Sequence, residues 1–230
     1  MNFVFDLYGT LADIWTDEEL PALWRGVCAT LGEDEDRYIE VKREYAESCA
    51  ALKKDKYHEI DLNEVFSSMI TSRGLRISAK ELALIFRSLS IVRLRLFPYV
   101  RQMLTALRKT GAGVYLVSNA QECFTRYELD TLGLTSCFDG IMLSSEEGVK
   151  KPSELIFHRA FKKFGISARD SYYIGNDMHD DILGAHGVGM KTVYIETEQS
   201  GKYCCDLPEP DYVAKDHGVL KDLLLSLAMG

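Results

Sequence analysis

No stretch of this 230-residue chain is apolar for long enough to cross a membrane. Its longest hydrophobic runs are about a third of the ~20 residues that a span requires, and each is broken by Asp, Gly or Arg. Positive charge is in deficit: Lys and Arg number 27 against 35 Asp and Glu, a formal net charge of −8. That balance repels the phosphate backbone of nucleic acid rather than docking on it. Proline is scarce, at 5 residues, and neither an internal repeat nor a low-complexity tract is present, which excludes collagen-like and repeat-array architectures. The six cysteines form no Cys-x-x-Cys pair and have no histidine at zinc spacing, so a structural metal finger is excluded. They read as reduced, mostly buried thiols; vicinal Cys204-Cys205 is the one redox candidate, and adjacent cysteines bridge only with strain. The chain reaches Asp6 straight after Phe3-Val4-Phe5, leaving no room for a charged n-region, an apolar h-region and a cleavage site. A cytoplasmic protein with neither a nucleic-acid nor a membrane partner is expected.

What is present is ordinary globular material, 47% hydrophobic and 27% charged, in a length suited to one core domain with a satellite. Five short apolar runs end in polar clusters: Asn2 to Asp6, Gly113 to Val117, Gly140 to Leu143, Tyr172 to Ile174, and Thr192 to Ile195. Amphipathic stretches over 98–109, 122–132, 153–164, 179–187 and 217–228 alternate with or follow them. Strand alternating with helix predicts βαβ units and a parallel sheet, and such sheets bind ligands beyond the carboxyl ends of their strands, where the polar clusters fall. Residues 14–95 differ, with four helical patterns and no evident strand. Thr16-x-x-Glu19 and Ser78-x-x-Glu81 read as capping boxes opening the first and last of them. The expected organisation is an α/β core with a parallel sheet over 1–13 and 96–230, with a four-helix cap over 14–95 above the strand ends, where a lid would sit.

Four elements carry chemistry. Asp6 ends the first strand before Gly9-Thr10, a turn that turns backbone N–H groups toward an anion. Ser118-Asn119 ends the second strand with a hydroxyl and an amide. Lys151-Pro152 follows the third and opens a helix with a fixed ammonium. Gly175-Asn176-Asp177 with Asp180-Asp181 ends the fourth, massing carboxylates that repel one another unless a cation sits among them.

In this order and spacing the four motifs resemble the haloacid dehalogenase-like hydrolases, in the branch with a helical cap inserted after the first motif, and the resemblance covers nearly the whole chain. It implies a Rossmann-like core and a Mg2+-dependent phosphatase acting on a small phosphate monoester through an aspartyl-phosphate. Asp6 would be the nucleophile and Lys151 would neutralise the intermediate. Thr10, Ser118 and Asn119 would serve the loop and the substrate oxygens. The metal would take Asp6, the main-chain carbonyl of Tyr8, and Asn176, Asp177 or Asp181. Two departures matter. Phosphatases of the family usually carry a second Asp where this chain has Tyr8, and a phenol, with a pKa near 10, can donate a proton but is a poor base. The Asp-x-Tyr-Gly-Thr-Leu pattern also resembles the 2-haloacid dehalogenases, which attack carbon without a metal. Dehalogenation is therefore the alternative activity, and a weakly active, phosphate-binding member is the third. Against dehalogenation stands the acidity of the fourth motif, whose first acidic position is here Asn176. A monomer and a homodimer remain equally open. Among residues outside the motifs, Arg93 and Arg95 are expected on a solvated face, Trp15 and Trp24 in packing, and the histidines on helix surfaces.

Overall fold

Phe3, Val4 and Phe5 are all buried, Phe3 and Phe5 on one side and Val4 on the other. A strand hidden on both faces belongs at the centre of a parallel sheet, and β1 (Asn2–Phe5) takes that place. The computed structural model describes residues 1–201 and 206–230; the Cys204-Cys205 pair lies outside the described residues. The main sheet comprises β1, β4 (Gly113–Ser118), β5 (Gly140–Leu143), β6 (Ser171–Gly175), β7 (Lys191–Ile195) and β8 (Tyr212–Ala214). Its order is β5-β4-β1-β6-β7-β8, parallel throughout. Helices α5 (Val100–Lys109) and α10 (His217–Met229) bury Leu104, Leu107, Leu220 and Leu224 against one face. Helix α8 (Glu154–Phe164) packs Ile156, Phe157 and Ala160 on the other. It starts at the Ser153 cap and stops at Gly165, which takes a left-handed φ of 67°. The remaining core helices are α6 (Glu122–Thr131), the short α7 (Ser144–Glu147) and α9 (Gly184–Gly187).

Between β1 and α5 lie α1 (Pro21–Thr30), α2 (Tyr38–Leu52), α3 (Leu62–Thr71) and α4 (Ala79–Ser90), which enclose a second core around Trp24, Phe66 and Phe86. That core also takes in Cys123 and Phe124 of α6, so the helical unit is packed onto the sheet domain through α6. Ser78 and Glu81 form the expected reciprocal box at the start of α4.

Four sequence expectations are corrected. The chain passes into and out of the helical unit through β2 (Ala12–Thr16) and β3 (Ile91–Leu96), an antiparallel ribbon where helical patterns alone were expected. Its signal was the alternation of Arg93, Leu94, Arg95 and Leu96, whose leucines pack on the sheet core. Thr16 is in β2 and caps no helix; α1 instead starts at Pro21, whose fixed φ suits a first turn, behind Leu20 with no side-chain cap. Trp24 is packed as expected, but Trp15 is 55% exposed. The stretch expected as one helix over 179–187 is a π-helical turn, Met178–Leu183, running into α9.

Candidate active site

The parallel sheet delivers the ends of β1, β4 and β6 to one rim, and the four motifs meet there around Lys151. This ammonium has three protons and each has an acceptor: Asp6 Oδ1 at 2.8 Å, Asp181 Oδ1 at 2.6 Å and the Tyr173 hydroxyl at 2.8 Å. Tyr173 can accept because it donates its own proton to the Val117 carbonyl at 2.7 Å. Lys151 is 2% exposed. Burial alone would depress its pKa, but Asp181, Asp6 and Tyr173 outweigh burial and hold it well above the usual lysine value, so it stays charged. Burial pushes the Asp181 carboxyl up to about 7 against the opposing pull of Lys151. Ser118 donates to Asp6 Oδ1 at 2.9 Å. Asp6 Oδ1 thus has two donors, while Oδ2 accepts from none of the described residues and belongs to the cleft.

Asn119 clamps the main chain of Lys151. Its Oδ1 accepts from the Lys151 amide at 2.8 Å, and its Nδ2 donates to the Lys151 carbonyl at 3.1 Å and to Asp180 Oδ2 at 3.0 Å. Its amide thus holds Lys151 while the side chain lines the cleft. Thr10, expected to serve the loop or the substrate, is fully buried and gives its hydroxyl to Asn176 Oδ1 at 3.1 Å, so it supports the loop.

Gly9 sits between them at φ +80°, a conformation that glycine adopts at little cost. A Cβ there would lie 2.5 Å from Asn176 Nδ2. Gly9→Ala is expected to destabilise the fold by at least ~1 kcal/mol and to lower turnover by displacing Asn176, measured by thermal melts alongside initial rates. The loop is held further by Thr197 Oγ1 on the Gly9 carbonyl at 3.0 Å and by His217 Nε2 on the Thr10 carbonyl at 2.7 Å. His217, expected on a helix surface, is buried and stacked on Phe97; burial lowers its pKa, which keeps the ring neutral.

Tyr8 turns its phenol away from the nucleophile's neighbours. The hydroxyl contacts Thr125 Oγ1 at 3.0 Å and donates to Glu128 Oε2. Burial, then the Glu128 charge, raises its pKa above the ordinary value, so the phenol remains a proton donor committed to Glu128.

A cleft of about 220 Å³ lies over these groups, lined by Asp6, Tyr8, Ser118, Asn119, Lys151, Asn176, Asp177, Asp180, Asp181 and Gln199. Four carboxylates there face one ammonium. Asp181 has both oxygens engaged, Oδ1 by Lys151 and Oδ2 by the Asp177 amide at 3.0 Å. Asp177 Oδ1 caps the following turn through the amides of His179 and Asp180, and Asp180 also pairs with His179 at 2.8 Å. A lining rich in carboxylate and carbonyl oxygens, with surplus negative charge, fits a hard divalent cation. Among the described residues no cage of three or more His, Cys, Asp and Glu exists, and magnesium is suited to such a place because it keeps waters and takes only one or two carboxylates.

Several site residues had no sequence signal. Tyr173 lies inside β6 and reaches Lys151 only through the sheet. Gln199 reaches Asp13 Oδ1 at 2.9 Å and the Ile14 carbonyl at 2.5 Å. Arg95 lies on a solvated face as expected, with its side chain 69% exposed, and Arg93 less so, yet both pair with the buried Asp13, at 2.9 and 2.8 Å, and brace the ribbon. Tyr57 and Glu59, ahead of α3, bond the main chain at Lys150 and Gly148 at 3.0 and 3.3 Å, next to Lys151.

The profile of the haloacid dehalogenase-like hydrolases matches residues 1–189. Glyceraldehyde 3-phosphate phosphatase of Pyrococcus furiosus is 34% identical over 120 residues, 52% of this chain and 49% of that one. The chain spans about half the length of the first curated relatives it matches. Among solved structures, a HAD phosphatase from Thermococcus onnurineus superposes with a TM-score of 0.66 at 23% identity, covering 97% of both chains. A 2-haloacid dehalogenase from Pseudomonas syringae pv. Tomato DC3000 gives 0.67 at 21%, covering 99% of both. At these identities the two structures share the fold and nothing finer.

Proposed function

The chain belongs to the haloacid dehalogenase-like hydrolases, and from that footing we propose that it is a magnesium-dependent phosphatase of a small phosphate monoester, with Asp6 as nucleophile. The observation that carries this reading is the charge of the cleft: Asp6, Asp177, Asp180 and Asp181 against Lys151 alone. A haloacid would bring its carboxylate into that surplus with no cation of its own. The similarity to a sugar-phosphate phosphatase supports the same choice.

Magnesium would be held by Asp6 Oδ2, the main-chain carbonyl of Tyr8, and Asn176 or Asp177, with waters completing its shell. Bound there, it would screen the nucleophile from the phosphoryl oxygens and draw charge from them. Asp6 attacks phosphorus in line, the bond to the ester oxygen breaks, and water then cleaves the acyl phosphate to return Asp6 and release phosphate. Lys151, held by three acceptors, keeps its positive charge against the site throughout. Asn119 and Asp181 keep Lys151 in register. Because the phenol of Tyr8 is committed to Glu128, leaving groups that depart without a proton are favoured, and aryl phosphates are expected to react faster than alkyl phosphates.

The test is hydrolysis of an aryl phosphate with magnesium and with EDTA, using Asp6→Asn as the blank. Magnesium-dependent release that is absent from the variant supports the reading. Halide release from a 2-haloacid in EDTA, without phosphatase activity, overturns it in favour of carbon attack.

A further inference from the structure

The catalytic loop is fixed from two sides that differ in kind. The carbonyls of Gly9 and Thr10 are tied by Thr197 and His217, both from the sheet domain. Tyr8 is tied to Glu128 of α6, also in the sheet domain, but Glu128 is itself the partner of Arg87 from α4 of the helical unit. Arg87 Nε lies 2.5 Å from Glu128 Oε1, with side chains 10% and 3% exposed. The guanidinium also covers the Phe124 ring at 4.3 Å and faces the Tyr8 ring at 5.6 Å. A planar cation lying between two rings and bonded to a carboxylate has little freedom to move without carrying them along. This chain of contacts links a helical-unit side chain to the motif-one loop through charged and hydrogen-bonding groups. It meets that loop two residues from the nucleophile.

We propose that Arg87 and Glu128 are positioning residues for catalysis, which set the catalytic loop through the Tyr8 hydroxyl according to where the helical unit sits on the sheet domain. When the unit is seated, Arg87 orients Glu128, Glu128 holds the phenol, and the loop presents Asp6 and the Tyr8 carbonyl to the cleft. When the unit shifts, Arg87 leaves Glu128, and the Tyr8 hydroxyl loses the orientation of its acceptor, whereas Thr197 and His217, which tie Gly9 and Thr10, have no such partner in the helical unit. Tyr8 is then neither a weak substitute for an acid nor a vestige, but the arm by which the two units communicate. The kinetic part of this inference rests on the phosphatase reading; the structural part does not.

The experiment compares the full chain, Tyr8→Phe, Arg87→Met and the double variant, by aryl-phosphate kinetics and by amide hydrogen exchange. The amides of Gly9, Leu11 and Ala12 bond within the loop, to Ala12 and Leu7 carbonyls at 2.8–2.9 Å, so their exchange reports its order. Each single variant is expected to lower kcat by about tenfold at unchanged KM and to speed exchange at those amides; Tyr8→Phe, which breaks no buried ion pair, is expected to leave the amides of α1 and α3 unchanged. The double variant is expected to be no slower than the worse single one, since both cut the same chain. Glu128→Gln, which keeps the shape and weakens both ties, replaces Arg87→Met should the latter fail to fold. Additive losses in the double variant, or loop exchange that does not change in Tyr8→Phe, overturn the proposal. A phenol acting as an acid would lower kcat in Tyr8→Phe and not in Arg87→Met, which also overturns it. If the unmodified protein hydrolyses no phosphate ester, that failure belongs to the phosphatase reading, and the exchange data alone decide the link.

Discussion

Lys151→Met is expected to lower kcat by about 10³-fold, approaching the blank set by Asp6→Asn, while the protein still folds. Methionine matches the length of the stem and removes the charge. The three acceptors that now share one ammonium, Asp6, Asp181 and Tyr173, would then face one another without a cation between them. Two carboxylates brought to one site do not both stay ionised, and the one that takes up the proton ceases to do its work: a protonated Asp6 is no nucleophile. The loss therefore exceeds that of the electrostatic contact alone. Lys151→Arg is expected to rescue little of it. The lysine donates in three directions to three separate acceptors inside a site where it is 2% exposed, and a planar fork cannot reproduce that geometry. Activity in Lys151→Met within tenfold of the unmodified protein, read at saturating substrate, would contradict this assignment.

The same residue shows where sequence reading reaches and where it stops. Asp6, Ser118, Lys151 and Asp181 were legible because each follows a short apolar run, and a parallel sheet gathers the ends of its strands at one rim. The pattern therefore encodes convergence without any knowledge of distance. The partners that make Lys151 what it is were not legible in that way. Tyr173 is one of several buried β6 residues, and its meeting with Lys151 depends on which sheet face it points to and on the path of the loop after β5. Tyr8 and Glu128 are 120 residues apart, and no periodicity joins them. Asn119 was legible as a polar residue at a strand end and not as a clamp, since its role is fixed by the main chain of Lys151 lying opposite. The helical unit was visible from its apolar spacing, whereas the ribbon at its base was not: Asp13, Arg93 and Arg95 have the composition of a solvated turn until the strands pair and bring the arginines onto one buried carboxylate. Local pattern thus carried elements and strand ends, and pairing across the chain decided what most side chains do.

Glu128→Ala carries the largest expected stability effect. Arg87, 8% exposed as a residue, would keep its charge in a pocket walled by Phe124 and the Tyr8 ring with its carboxylate gone. Removing one partner of a buried pair costs about 3–5 kcal/mol, since the remaining charge loses its hydrogen-bonded counterion. At roughly 2–4 °C per kcal/mol for a chain of this size, the melting temperature is expected to fall on the order of 10 °C. Replacing both residues by apolar ones, Arg87→Met with Glu128→Leu, is expected to restore most of that loss, because a well-packed apolar pair removes the desolvation penalty of both ions together. The restored protein is not expected to regain turnover, for the Tyr8 hydroxyl would still lack its acceptor. Stability and catalysis therefore separate at this pair. A double replacement that recovers both melting temperature and kcat would mean that the ion pair does nothing beyond filling space between α4 and α6. One that recovers the first without the second places the function of Glu128 at the phenol of Tyr8, two residues from Asp6.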